Sequence, residues 1–213
     1  MLRSMQDSAH DREHVYRVLY TALDIAETEP KADKDIVIAA SLLHDIGRKE
    51  QFENPTLCHA QVGAEKACAF LLENGFDRPF AEAVRHCIVT HRFRSDNPPQ
   101  SLEAKILFDA DKIDATGTLG IARTLVYNGK EGEPLYSLTA DGTVSDGTND
   151  TDPSFFQEYK YKLEKLYDRF YTVRGKAIAE ERRQTAVSFY NNMLREVQAA
   201  YRTGKQLLDR YCE

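Results

Sequence analysis

The pair His44-Asp45 ends an apolar run, Ile36-Val37-Ile38-Ala39-Ala40-Ser41-Leu42-Leu43, and is followed by Ile46-Gly47-Arg48. Two adjacent polar side chains at the end of a buried segment need a partner. A divalent cation satisfies both at once, because neutral imidazole and carboxylate are good ligands for it. His14, His59 and His91, together with the aspartates of Asp109-Ala110-Asp111-Lys112-Ile113-Asp114, are further residues of ligand type interrupting apolar sequence. Burying so many ionisable groups without a counter-charge is costly, whereas a divalent ion neutralises carboxylates and accepts imidazole nitrogens.

These residues have to be positioned by helices, since the apolar spacing is helical throughout. Val15, Val18, Leu19, Ala22, Leu23 and Ala26 keep the i, i+3, i+4 period and place His14 at the first turn of a helix that Asp11 can cap. Asp33 can cap a second helix on which Ile36, Ala40, Leu43 and His44 share a face, with Gly47 expected as a left-handed C-terminal cap. A third helix, starting near Thr56, puts His59 on the side of Gly63, Ala67, Phe70 and Leu71 and ends at Asn74-Gly75. Pro79 suits the first turn of a fourth, whose stripe Phe80, Val84, Cys87 and Ile88 continues to His91.

After Asn97-Pro98-Pro99, Ser101 can cap a helix from Leu102 to Asp114. Asp111 shares one side with Ala104, Leu107 and Phe108, and Asp109 shares another with Leu102, Ile106 and Ile113; periodicity does not choose between them. Gly117, Gly120 and Ala122 suggest close helix packing through Tyr127. Residues 128–152, with five Gly or Pro positions and no sustained period, are expected to form a long loop. A helix starting at Asp152-Pro153, with Phe156, Tyr159, Leu163, Leu166, Tyr167 and Phe170 on one side, and a last long helix from about Lys176 toward Leu208 complete the chain. The expected fold is all-α, one helical domain over residues 1–213 with its chemistry in residues 11–127 and C-terminal helices over 153–210.

The composition fits that reading. With 213 residues, 42% of them hydrophobic and 29% charged, the chain can bury one sizeable core. A net charge of −6 provides no global basic field for polymeric nucleic acid or an acidic membrane surface, although local cations can still hold a small anion. Four cysteines without a C-x-x-C pair, no export signal and no apolar stretch near the roughly 20 residues of a membrane span point to a reduced, cytoplasmic setting without membrane insertion.

In order and setting, His14, His44-Asp45 and Asp111 within Ala110-Asp111-Lys112-Ile113 resemble the signature of the HD-domain metal-dependent phosphohydrolases. His44-Asp45-Ile46-Gly47-Arg48, Asp109 to Ala115 and Gly120-Ile121-Ala122-Arg123 are similar to a subgroup of small bacterial HD hydrolases; Glu164-Lys165-Leu166 and Ala179-Glu180-Glu181-Arg182-Arg183 extend the likeness over most of the chain. The resemblance implies an HD-type helical bundle and a metal held by His14, His44, Asp45 and Asp111, selecting Asp111 over Asp109. It also implies a place for a second ion at His59 and His91, with Asp45 bridging. The ion is divalent: Mn, Mg, Ni, Co, Fe or Zn.

Metal-activated water would then attack phosphorus without a protein nucleophile. Arg48, Lys112 and Arg123 are the cations expected to meet substrate phosphate, ahead of Arg92 and Arg94, and Asp114 is expected to orient water or a ligand histidine. HD nucleotidases acting on deoxynucleoside monophosphates resemble His-Asp-x-x-Glu, but Arg48 stands at that glutamate position here. An arginine suits a more highly charged substrate, so a nucleoside triphosphate pyrophosphohydrolase is the leading expectation. A cyclic-nucleotide or dinucleotide phosphodiesterase is the alternative enzyme, and a nucleotide- or metal-binding regulator with little turnover the alternative of another class. An oxygenase with two irons fits the motifs less well. The tyrosine-rich C-terminal helices allow a homodimer.

Overall fold

Helix starts follow the polar caps that the sequence provides. In the computed structural model, which describes residues 12–92 and 97–212, Asp33 accepts hydrogen bonds from the amides of Asp35 and Ile36 to open α2 (Lys34–Leu43). Asp77 receives the amide of Phe80 to open α5 (Arg78–Thr90), and Ser101 that of Ala104 to open α6 (Leu102–Ile113). Each satisfies an amide that the first helical turn leaves without a backbone acceptor. The other helices are α1 (Arg12–Glu27), α3 (Arg48–Glu53), α4 (His59–Glu73), α7 (Gly117–Glu131), α8 (Phe155–Tyr161) and α9 (Val173–Cys212), with a 3-10 helix at Leu163–Asp168. The proposed cap Asp11 lies outside the described residues, as does Arg94.

The fold is all-α. Among the described residues the nearest approach to a strand is one isolated antiparallel bridge between Leu138 and Val144. Among the described residues no helix is long and apolar enough to cross a membrane, and the four cysteines are all free thiols.

The chain divides into two compact units. The first comprises residues up to 114 together with Phe170–Ile178; the second comprises Ala115–Arg169 and Ala179–Glu213. In the first unit α1 packs on α2 and α6, and α5 packs on α2, α4 and α6. Val18, Ala22 and Ile25 of α1, Val37 and Ala40 of α2, Ala64 and Ala67 of α4, Val84 and Ile88 of α5, and Ile106 and Leu107 of α6 are buried together. Alanines at these positions let helix backbones approach closely while the branched residues fill the core.

Several boundaries differ from the expectation. Gly47 is not a left-handed cap: its φ is −92°, and it is the N-cap of α3, a short helix that the periodicity does not reveal. Its lack of a side chain has another cause, because a Cβ there would lie 2.4 Å from the His59 carbonyl oxygen and 2.6 Å from the Gly63 amide nitrogen. α4 begins at His59 rather than Thr56, and α9 begins at Val173.

In the second unit, α7 runs four residues beyond Tyr127 and ends at left-handed Gly132. That shortens the expected 128–152 loop, in which backbone bonds from Thr139 to Thr143 and from Ser145 to Ser137 form a small hairpin-like turn. The helix expected from Asp152-Pro153 starts instead after the cap Ser154. It then tightens into the 3-10 segment, which buries Leu163, Leu166 and Tyr167 on the anticipated face.

Candidate metal centre

Four elements of the first unit deliver the histidines. His14 lies in the first turn of α1, His44 caps the C-terminus of α2, His59 opens α4, and His91 caps the C-terminus of α5. All four are buried, as is Asp45. Every ring is fixed through Nδ1, which donates to Asp114 Oδ2 at 2.7 Å in His14, to the Ser41 carbonyl at 2.8 Å in His44, to Gln51 Oε1 at 2.6 Å in His59 and to the Ile88 carbonyl at 2.6 Å in His91. These acceptors place the proton on Nδ1 and leave Nε2 as the basic nitrogen.

The four Nε2 atoms converge on Asp45 in two pairs. Those of His14 and His44 each lie 3.6 Å from Asp45 Oδ2, while those of His59 and His91 lie 3.6 and 3.7 Å from Oδ1. Within the pairs the Nε2 atoms are 3.3 Å and 3.2 Å apart. Each trio of two histidines and Asp45 has its ligand atoms within 4.8 Å of one another. Asp111 joins the first group, with Oδ1 3.5 Å from His14 Nε2.

A cation fits this donor set for two reasons. Basic nitrogens at hydrogen-bond distance repel unless a proton or metal lies between them, and Asp45 Oδ2 is a buried carboxylate oxygen without a hydrogen-bond partner. Both trios can therefore hold a divalent metal ion.

The electrostatics keep the groups in ligand form. Burial lowers the pKa of His44, and burial followed by the charge of Arg48 lowers that of His59 to about 2, so both rings are neutral near pH 7. Burial by itself would raise the carboxyl of Asp45, but His44 and Arg48 outweigh it and hold it well below the usual range. For Asp111 burial is likewise outweighed, chiefly by Lys112.

The other expected residues divide clearly. Arg48 donates through Nε to Asp45 Oδ1 at 2.9 Å. Lys112 donates to Asp111 Oδ2 at 2.8 Å and to the His91 carbonyl at 3.3 Å. Asp114 holds His14 and receives Arg17 at 2.7 and 3.1 Å. Asp109 turns the other way, accepting from the amides of Tyr171 and Thr172 and from the Thr172 hydroxyl, so it ties the chain at 171–172 to α6. Arg92 donates to Cys58 Sγ, and Arg123 lies on α7 in the second unit. Sequence reasoning missed Gln51 and Arg17. Both lie on exposed or unpatterned helix surface, and only the folded distance to His59 or Asp114 marks them.

An all-helical fold carrying this buried histidine–aspartate cluster defines a metal-dependent hydrolase. The family model "HD domain" matches residues 12–116. The chain is 30% identical to the uncharacterized protein YpgQ of Bacillus subtilis over 90% of its own length and 86% of that protein. It therefore belongs to the HD domain family. The crystal structure of YpgQ in complex with ADP superposes with a TM-score of 0.70 at 28% identity, covering 89% of this chain and 91% of that one. A predicted HD superfamily hydrolase from an uncultured Thermotogales bacterium superposes with a TM-score of 0.62 at 32% identity, covering 92% and 86%. More remote is the 3'-5' exoribonuclease YhaM of Bacillus pumilus, 25% identical over 48% of this chain and only 37% of that protein.

Proposed function

We propose that the chain hydrolyses a phosphoanhydride or phosphate ester of a small nucleotide, acting as a nucleoside triphosphate pyrophosphohydrolase. The observation that carries this reading is the division of Asp45, with one oxygen facing His14 and His44 and the other facing His59 and His91. In this reading His14, His44, Asp45 and Asp111 hold one divalent ion, and His59 and His91 with Asp45 hold a second.

Ions bound there supply Lewis acidity toward a phosphoryl oxygen and lower the pKa of water from about 15.7 to about 7. The protein's own groups orient and neutralise. Asp114 keeps the His14 proton on Nδ1, and Arg17 donates to the same carboxylate. Lys112 fixes the Asp111 carboxylate through one oxygen and leaves the other toward His14. The Arg48 side chain, 29% exposed and paired with Asp45, has access to solvent, and it suits a polyanionic tail better than a monophosphate. Lys112, and Arg123 on the strength of its motif, are further phosphate-binding candidates.

A nucleotide as substrate is supported by the ADP complex of YpgQ. The similarity to YhaM favours the alternative of phosphodiester cleavage. A regulator with little turnover is disfavoured by the complete ligand set.

The test is metal analysis of the purified protein, followed by product analysis over nucleoside triphosphates, monophosphates, cyclic nucleotides and dinucleotides with Mn, Mg, Co or Ni. Pyrophosphate and a nucleoside monophosphate are the expected products from a triphosphate. Orthophosphate would indicate a phosphatase, and cleavage of diesters alone would favour the phosphodiesterase. Activity that survives chelation or Asp45→Ala would overturn the reading. A stoichiometry of one ion, measured with phosphate present, that neither His59→Ala nor His91→Ala alters would overturn its second ion.

A further inference from the structure

The two oxygens of Asp45 are not equivalent. Oδ2, facing His14 and His44, is buried and accepts no hydrogen bond, whereas Oδ1, facing His59 and His91, is covered by the Arg48 guanidinium through Nε at 2.9 Å. One half of the carboxylate is bare, and the other already has a cation against it.

We propose that Arg48 couples phosphate binding to the second ion position: it covers Asp45 Oδ1 until an anionic phosphoryl group draws it away, so that phosphate and the second ion bind cooperatively. The proposal rests on the two-ion reading above and adds an order of occupancy to it.

Three observations support the coupling. The guanidinium and a second ion would share one carboxylate oxygen, and like charges that close repel, the more so where water is excluded. The Nε2 atoms of His59 and His91 face that same oxygen at 3.6 and 3.7 Å, which puts the second ion position against the guanidinium. A divalent ion carries twice the guanidinium's charge.

At the first position Lys112 pairs with Asp111 Oδ2 and leaves Oδ1 toward His14, and Arg17 pairs with Asp114, so neither cation covers a carboxylate oxygen that faces a histidine Nε2. Arg48 covers such an oxygen, Asp45 Oδ1. Its side chain also reaches solvent, where two oxygens of an incoming phosphate can meet the planar guanidinium bidentately and carry more charge than the single carboxylate oxygen it holds. Once Arg48 has turned to phosphate, Oδ1 and two basic imidazole nitrogens are left for the ion. Linkage makes the effect reciprocal: the second ion must tighten phosphate by the same factor.

Equilibrium dialysis with Mn2+ at fixed free concentration, with and without inorganic phosphate, tests this on the wild type, Arg48→Gln and Arg48→Lys. Manganese electron paramagnetic resonance identifies an adjacent, spin-coupled pair. The wild type is expected to bind one ion tightly without phosphate, and phosphate is expected to tighten the second by about tenfold or more. Arg48→Gln should bind two ions without phosphate and respond little to its addition, while Arg48→Lys, which keeps the charge, should still bind the second ion weakly without phosphate.

Two ions of unchanged affinity with and without phosphate, in both the wild type and Arg48→Gln, would overturn the coupling and leave the two-ion reading intact. A single ion under every condition would overturn the two-ion reading and the coupling with it. If Arg48→Gln fails to fold, as judged by circular dichroism, the wild-type comparison decides alone.

Discussion

Asp114 Oδ2 lies 2.7 Å from His14 Nδ1 although a hundred residues separate them in the chain. The last turn of α6 thus fixes the ring at the start of α1, and Arg17, one turn further along α1, holds the same carboxylate through two nitrogens. A carboxylate on the far nitrogen of a ligand histidine sets its tautomer and raises its basicity, and losing such a partner typically costs 10- to 100-fold in metal affinity. Asp114→Ala is therefore expected to weaken the first ion by about that factor and to lower activity at limiting metal. Competition against a fluorescent chelator measures it. An unchanged affinity would mean that the His14 ring is held by packing alone.

Metal should also stabilise the fold, because the unfolded chain does not bring these side chains together. An ion binding only the native state at about 100 times its Kd adds about 2.7 kcal/mol. Chelation is expected to lower the melting temperature of the wild type, with added Mn2+ restoring it. In Asp45→Asn the metal-dependent increment should largely vanish, since both positions use that carboxylate. Thermal melts with and without chelator compare the two proteins, and equal shifts in both would remove Asp45 from the ligand set.

Much of the centre is legible in sequence because a ligand on an amphipathic helix inherits the periodicity of the core. His44 follows the stripe of Ala40 and Leu43, and His91 that of Val84, Cys87 and Ile88, so both were bound to point inward. Caps such as Asp33 and Ser101 are equally local. α3 is different: none of its six residues is buried, and Phe52 is largely exposed, so it has no apolar face to read. Gly47, the residue that starts it, passes against the backbone of α4, a contact that no local pattern encodes. The choice between Asp109 and Asp111 is tertiary for the same reason, since it depends on where Tyr171 and Thr172 lie.

That short helix also supplies Gln51, whose Oε1 receives His59 Nδ1 at 2.6 Å. It is a positioning residue, acting on metal only through the ring it holds. Gln51→Leu removes the acceptor and is expected to weaken the second ion by about 10- to 100-fold while leaving the first unchanged. Gln51→Glu, which keeps an acceptor of similar reach, should restore it. Stepwise Mn2+ binding by calorimetry in the presence of phosphate separates the two positions. Equal loss at both, or no rescue by glutamate, would indicate general damage to α3 rather than control of His59.

An alkaline titration checks the packing of α5 independently of the metal. Cys87 is fully buried in the core of the first unit, and burial raises its thiol pKa from 9.0 to about 12. Below pH 9 the thiol is protonated in both the folded and unfolded chains, and its packing contributes in full. Between pH 9 and 12 the unfolded thiol ionises first, so stability falls as pH rises; above 12 both forms are ionised and the dependence ends. At 1.36 kcal/mol per pKa unit, the loss attributable to Cys87 by pH 10.5 is about 2 kcal/mol. Cys87→Ala lacks this ionisation but keeps the tyrosines that titrate in the same range, including buried Tyr159. Urea unfolding at pH 8.5 and 10.5 is therefore expected to show a drop about 2 kcal/mol larger in the wild type than in Cys87→Ala. Equal drops would mean that the thiolate is accommodated in the folded core, which the burial of Cys87 between Val84 and Ile88 opposes.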